Sequence, residues 1–210
     1  MTDRPRSPRT DRKRRAILDA ARDLFLAQGY LGANMDSVAA RAAVSKQTVY
    51  AHFGSKEALF VELVTDMTRE AGDRIHAHDA GLASGGAEAL LTAYAVEQLA
   101  TVLRPDVLQL RRLVIGESTR FPELGRALHE AGPKSAVERI ERMLDDLRAA
   151  GLVALDDVTT AATTFNWLVM GGPLNDAMLL GDDAVPDAAA QRRHAEHAVR
   201  VFLAAYAPRR

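Results

Sequence analysis

Between Lys46 and His52 the chain gathers Lys46, Gln47, Thr48, Tyr50 and His52, donors of hydrogen bonds or positive charge, with no Asp or Glu among them. These residue types suit one kind of chemistry. All five can donate to phosphate oxygens or read a base edge. Ser45 stands where a helix N-cap would, and Val49 and Phe53 recur at helical spacing, so the donors occupy the face opposite an inward one. Lys46, near the start of that helix, adds charge where backbone N–H groups also point outward.

The elements that must position these donors are helical. Asn34 can cap a preceding short helix whose inner face is Met35, Val38, Ala39 and Ala42, and Ala43-Val44 leaves only a tight turn. Two short helices at a sharp angle, packed on a longer amphipathic one, make a helix-turn-helix. The longer helix is predicted from about Asp11 to Gln28, with Ile17, Ala20, Ala21 and Leu24 on one stripe, Phe25 beside it and Gly29 at its end. After Ser55, Leu59, Phe60, Leu63, Val64 and Met67 predict a long helix running towards His78. Gly81 to Gly86 is the clearest flexible break. Amphipathic helices follow, with boundaries near Pro105, Pro122 and Pro133. A nearly all-apolar helix begins at Asp157, is disturbed at Gly171-Gly172-Pro173, and precedes a last helix starting near Pro186. No alternating strand pattern occurs, so the fold class is all-α.

The 210 residues are 48% hydrophobic and 26% charged, the balance of a soluble globular protein. Aromatics are only 5%, which predicts an aliphatic, Ala-rich core. The absence of cysteine excludes disulfides, Cys-ligated metal and thiol catalysis. A net charge of −1 conceals an asymmetry: Arg4, Arg6, Arg9, Arg12, Lys13, Arg14 and Arg15 face only Asp3 and Asp11, while residues 16–60 are neutral. Residues 1–10 read as a disordered basic arm, 11–56 as the helix-turn-helix domain and 57–210 as a larger helical domain. The arm lacks the apolar run of a signal peptide, and no segment suits a membrane span, so a cytoplasmic protein is expected. Gly-x-Ser-x-Gly, His-Glu-x-x-His and a phosphate loop are all missing. No catalytic residue, cofactor or metal site is expected; His194 and His197 are spaced i, i+3 but lack a third ligand.

Ile17-Leu-Asp-Ala-Ala-Arg-Asp-Leu-Phe25, Gly29-Tyr30, Met35-Asp-Ser-Val-Ala39, Ala43-Val-Ser45, Thr48-Val-Tyr50 and His52-Phe-Gly-Ser-Lys-Glu-Ala-Leu-Phe60 together resemble the N-terminal domain of the TetR family of bacterial transcriptional regulators. The resemblance implies a homodimer on double-stranded operator DNA, its recognition helices in successive major grooves, and a C-terminal domain that dimerises and binds a small-molecule effector. Position by position it implies phosphate contacts from Lys46, Thr48, Tyr50, His52 and Lys56, base reading by Gln47, and a capping and phosphate role for Asn34. Ala33 stands where the family usually has a phosphate-contacting Thr. Ala43 replaces the usual turn glycine, at a cost of roughly 1 kcal/mol if its φ is positive. Arg112 to Gly125, continuing to Gly132-Pro133, is similar to the AefR-like subgroup. A ligand-responsive repressor of a palindromic operator is therefore expected, with an activator of the same fold, or an all-α enzyme, as the alternative.

For the effector pocket, Glu117 continues the Leu110, Leu113, Val114 stripe. Tyr94, Met143, Phe165, Trp167 and Met170 are the apolar lining candidates, each of which could equally be plain core. Dimer contacts are expected from the last two helices, through Val158, Ala162, His194, Ala198, Val201, Phe202 and Ala205. Pairing both helices with their two-fold mates would make a four-helix bundle.

Overall fold

The computed structural model describes residues 8–75, 86–206 and 208. In chain order the helices are α1 (Pro8–Gly32), α2 (Met35–Arg41), α3 (Lys46–Phe53), α4 (Lys56–Gly72), α5 (Gly86–Val102), α6 (Pro105–Glu117), α7 (Pro122–His129), α8 (Ser135–Ala149), α9 (Val158–Leu180) and α10 (Ala188–Tyr206). The fold is all-α, with no strand among the described residues. The basic arm up to residue 7 and the break at 81–85 lie outside the described residues, but residues 8–10, expected in the arm, are already helical.

The chain forms two compact units, divided differently from the boundary expected near residue 56. The first takes residues through Met67 together with Gln109–Leu128; the second takes Thr68–Leu108 and the chain from His129 onward. Burial explains the difference. Leu110 and Val114 of α6 and Leu124 of α7 belong to the same core as Ile17, Phe25, Val49, Phe60 and Leu63. α4 and α6 are each divided between the two units.

The core is mostly aliphatic and rich in alanine, as expected, with a cluster of rings inside the first unit. Phe25 and Phe60 lie with ring centroids 4.7 Å apart, Tyr30 is 5.1 Å from Phe60, and Phe121 meets Tyr30 edge-on at 4.8 Å. Ring packing there adds to simple burial. α1 loses its helical backbone at Gly29, whose φ of 73° suits glycine. Just before that break, Gln109 Nε2 donates to the Leu26 carbonyl at 2.7 Å, so α6 satisfies a carbonyl near the end of the regular helix. Arg41 Nε donates to Asp23 at 3.0 Å, fastening α2 to α1.

Between α2 and α3 the chain turns through Ala43 at φ 52°, the one non-glycine residue with positive φ among those described. The Val44 N–H reaches the Ala39 carbonyl at 3.0 Å and the Ala43 N–H the Ala40 carbonyl at 3.2 Å. That pair of bonds defines a Schellman ending, which a left-handed residue closes.

In the second unit, α5, α8, α9 and α10 bury Leu91, Leu99, Ile140, Leu144, Val169 and Val199. α9 stays helical through Gly171-Gly172-Pro173, where a disturbance is expected, with α10 supplying a donor at that point, and ends at Leu180. Pro173 has no N–H to offer the Val169 carbonyl four residues back. The His194 ring Nε2 lies 2.9 Å from that oxygen and serves as the missing donor. α8 begins at Ser135, just after Pro133 as expected, and a π-helical turn, Glu130–Lys134, joins it to α7.

Because Ala43 carries a Cβ in the left-handed region, Ala43→Gly is expected to raise the free energy of unfolding by about 1 kcal/mol. Urea denaturation followed by circular dichroism measures this; an unchanged or lower midpoint contradicts the strain.

Candidate nucleic-acid interface

Each of the two short helices is fixed by its own cap. Asn34 Oδ1 accepts from the Ser37 N–H at 2.9 Å. Ser45 Oγ accepts from the Thr48 N–H at 3.1 Å and shares a 2.8 Å hydrogen bond with Thr48 Oγ1. Both hydroxyls are thereby held in place. Val49 and Phe53 are buried, which turns Lys46, Gln47 and Tyr50 outward, Tyr50 with 43% of its surface exposed. Thr48 and His52 are half-buried at the margins of that face.

Gly54 ends α3 at φ 76°, its N–H donating to the Tyr50 carbonyl at 2.8 Å. α4 then begins two residues later, with Ser55 Oγ accepting from the Ala58 N–H at 3.1 Å. Lys56, in that first turn, lays its ammonium 4.6 Å from the Tyr30 ring centroid. Burial pulls this lysine below its usual pKa, against the opposing pull of Glu57 and Glu117. Lys56 is thus a packed cation beside the donor face.

The donor face carries a counter-charge that its own sequence does not reveal. Asp36, in the first turn of α2, pairs with Lys46 Nζ at 2.7 Å, and both groups are exposed. Hydrogen bonding to this carboxylate raises the Lys46 pKa. Only the folded turn brings Asp36 to Lys46, which is why the residue escaped the sequence reading. It also stands near the α2 N-terminus, where negative charge is favoured.

Part of the N-terminal basic cluster, just beyond the arm, is committed within the first unit. Arg14 pairs with Glu62 of α4, and its guanidinium lies 5.0 Å from the Phe53 ring centroid. Arg15 pairs with Asp66 at 3.1 Å and with Asp19 at 3.2 Å. These two arginines pin α4 and α3 to α1, while Arg12 and Lys13 are exposed.

The remaining expected residues divide. Tyr94, Met143, Phe165 and Met170 do come together, buried in the second unit's core. Trp167 does not join them, because it is 57% exposed on α9. Glu117 falls in the first unit, near enough to Lys56 and Tyr30 to influence both electrostatically. Among the expected dimer contacts, Ala162, Ala198 and Phe202 are buried within one protomer. Phe202 is 1% exposed, with its ring 5.1 Å from Phe165 and 4.7 Å from Tyr206. Each is an internal packing residue, filling space between α9, α10 and their neighbours. Val158 packs partly on the same core, His194 is engaged with Val169, and Val201 and Ala205 are exposed.

A capped recognition-type helix with an exposed donor face, set by a tight turn on a second short helix, defines a helix-turn-helix DNA-binding protein. The chain belongs to the TetR family of transcriptional regulators. Residues 17–63 match the family model described as bacterial regulatory proteins, tetR family, and residues 89–208 match that of the AefR-like transcriptional repressor C-terminal domain. A TetR-family transcriptional regulator from Mesorhizobium loti, known as a crystal structure, is 33% identical with a TM-score of 0.90, covering 96% of this chain and 100% of that one. The flavonoid-responsive regulator FrrA is also 33% identical, with a TM-score of 0.81 over 95% of this chain and 100% of its own. The HTH-type transcriptional regulator AlkX of Mycobacterium tuberculosis is 32% identical over 109 residues, 46% of this chain. The matched stretch spans about half of that relative, 52% of its length. No helix among the described residues is long and apolar enough to cross a membrane.

If Lys46 exchanges Asp36 for a phosphate on binding, Asp36→Asn is expected to tighten binding to non-specific duplex at low salt. Lys46→Ala is expected to lower the slope of log K against log salt by about 0.9 for each recognition helix docked on the DNA. Fluorescence anisotropy across a salt series measures both, and an unchanged slope in Lys46→Ala would remove Lys46 from the phosphate contacts.

Proposed function

We propose that the chain is a homodimeric repressor that occupies a palindromic operator and leaves it when a small-molecule effector binds the second unit. The observation that carries this reading is α3, a capped helix whose exposed face offers Lys46, Gln47 and Tyr50. Gln47 is the base reader. Lys46, Thr48, Tyr50 and His52 position the helix on phosphates, with Asn34 and Lys56 at the edges of the contact. Repression is supported by the AefR-like repressor match over residues 89–208. Response to an effector is supported by the likeness to FrrA, which its name describes as flavonoid-responsive. The protein would act in the cytoplasm, where its operator lies.

Release works through spacing. Two recognition helices must meet half-sites about 34–36 Å apart, one turn of DNA. α4 runs from Lys56, beside the donor face, to Gly72 in the second unit. An effector that prefers one position of the Gly72 end biases the Lys56 end by no more than that preference. Dimerisation is assigned to the outward faces of α9 and α10, where Trp167 and Val201 are exposed apolar residues. Each helix would meet its two-fold mate in a four-helix bundle.

Gln47→Ala is expected to lose about 1–3 kcal/mol of preference for operator over competitor duplex, with non-specific affinity kept. Competition gel shifts on DNA upstream of the protein's own gene measure this, and full retention of preference would remove Gln47 as a reader. Trp167→Glu is expected to sediment as a monomer with an unchanged helical spectrum. A persistent dimer would move the interface elsewhere.

A further inference from the structure

The stretch from Arg112 to Gly125, similar in sequence to the AefR-like subgroup, belongs to the first unit, with the recognition helix and not with the second unit's core. Its middle is a tight turn between α6 and α7. The N–H groups of Arg120 and Phe121 both donate to the Glu117 carbonyl, at 3.0 and 2.8 Å, and Ser118 Oγ donates to the Ile115 carbonyl at 2.9 Å. The turn is thereby closed on the end of α6. It holds Phe121 edge-on to Tyr30, with ring centroids 4.8 Å apart.

Each of these two touching rings carries a cation. The Lys56 ammonium lies 4.6 Å from the Tyr30 centroid, and the Arg120 guanidinium lies 5.2 Å from that of Phe121. A cation on a ring face is oriented without being neutralised. Lys46 has Asp36 for a partner, but neither Lys56 nor Arg120 is held by a carboxylate in an ion pair among the described residues. Burial and the nearby Arg120 both act against the charge on Lys56, opposed by the pull of Glu57 and Glu117. Glu57 is itself hydrogen-bonded to its own N–H and to Ser55. The free protein thus keeps two like charges as neighbours, an arrangement that an anion reaching both would relieve.

We propose that Arg120 is a further contact to the DNA backbone, gripping phosphate beside Lys56 from a turn that lies outside the helix-turn-helix. Arg120 is exposed, so its guanidinium is open to such a partner. The group is planar, permanently charged and able to bond phosphate through two N–H donors at once. Base identity does not enter the contact, which adds affinity and fixes register without reading sequence. The assignment rests on the placement of Lys56 at the edge of the DNA contact. It extends that edge to a segment anchored by the Tyr30 and Phe121 rings, and gives the AefR-like stretch a part in holding the operator.

The test is a salt series of fluorescence anisotropy on the full-length protein with two labelled duplexes, one from upstream of the protein's own gene and one with that sequence scrambled. Arg120→Gln is expected to lower the slope of log K against log salt by about 0.9 for each recognition helix docked, on both duplexes alike. At about 0.1 M salt this is roughly an eightfold loss of affinity per docked helix. Arg120→Lys keeps the charge and is expected to keep the slope. Arg148→Gln removes the same charge from α8, in the second unit, and is expected to leave the slope unchanged. Because Arg120 is exposed, Arg120→Gln is expected to melt as the wild type does. An unchanged slope in Arg120→Gln, or an equal fall in Arg148→Gln, overturns the contact. Lys46→Ala in the same series separates the two readings. A slope lowered there but not in Arg120→Gln keeps the recognition helix and removes Arg120 alone, and a slope lowered in neither removes both.

Discussion

An eight-residue helix makes too few hydrogen bonds to persist alone in water, so everything α3 does depends on burying Val49 and Phe53. The rest of the first unit can be read as support for that burial. α1 and α4 contribute Phe25 and Phe60, Tyr30 and Phe121 complete the ring cluster, and Arg14 covers Phe53 from the solvent side. Ser45 and Gly54 then fix where α3 starts and stops. The donor face is accurate because its opposite face has no freedom.

Charge in this unit is arranged by pairing more than by excess. Asp36, Asp23, Glu62 and Asp66 each hold a basic residue, binding neighbouring helices together across the surface. Exposed pairs of this kind contribute little stability individually. Their larger effect is geometric: each pair holds two helices of the first unit in one register, and Asp36 holds the Lys46 ammonium in a fixed place on the donor face.

Much of this was legible in the sequence. The two short helices, their caps Asn34 and Ser45, and the inward set Met35, Val38, Val49 and Phe53 follow from local spacing alone; whether Ala43 takes a positive φ does not, and only the folded turn shows that it does. What escaped involves partners far apart in the chain. Nothing near Gln109 indicates that it bonds Leu26, and Asp36 meets Lys46 only once the turn has formed. Phe202 and Trp167 show the limit of periodicity in helices that are apolar on several faces. Phe202 was expected at the dimer contact and Trp167 in the pocket lining or core, and only packing separates the internal ring from the exposed one. His194 carries the same lesson: its role is set by the proline opposite it.

The two compact units also interleave along the chain. Leu110, Val114 and Leu124 are encoded well downstream of the reading head, yet they complete its core. A fragment ending near residue 67 would leave the apolar surface beneath Tyr30 and Phe60 uncovered. The DNA-reading segment is consequently a poor cassette for recombination. A swap that transplanted only the N-terminal segment onto another regulator would have to find matching counterparts of α6 and α7 in the recipient, which ties the inheritance of DNA specificity to that of the larger domain.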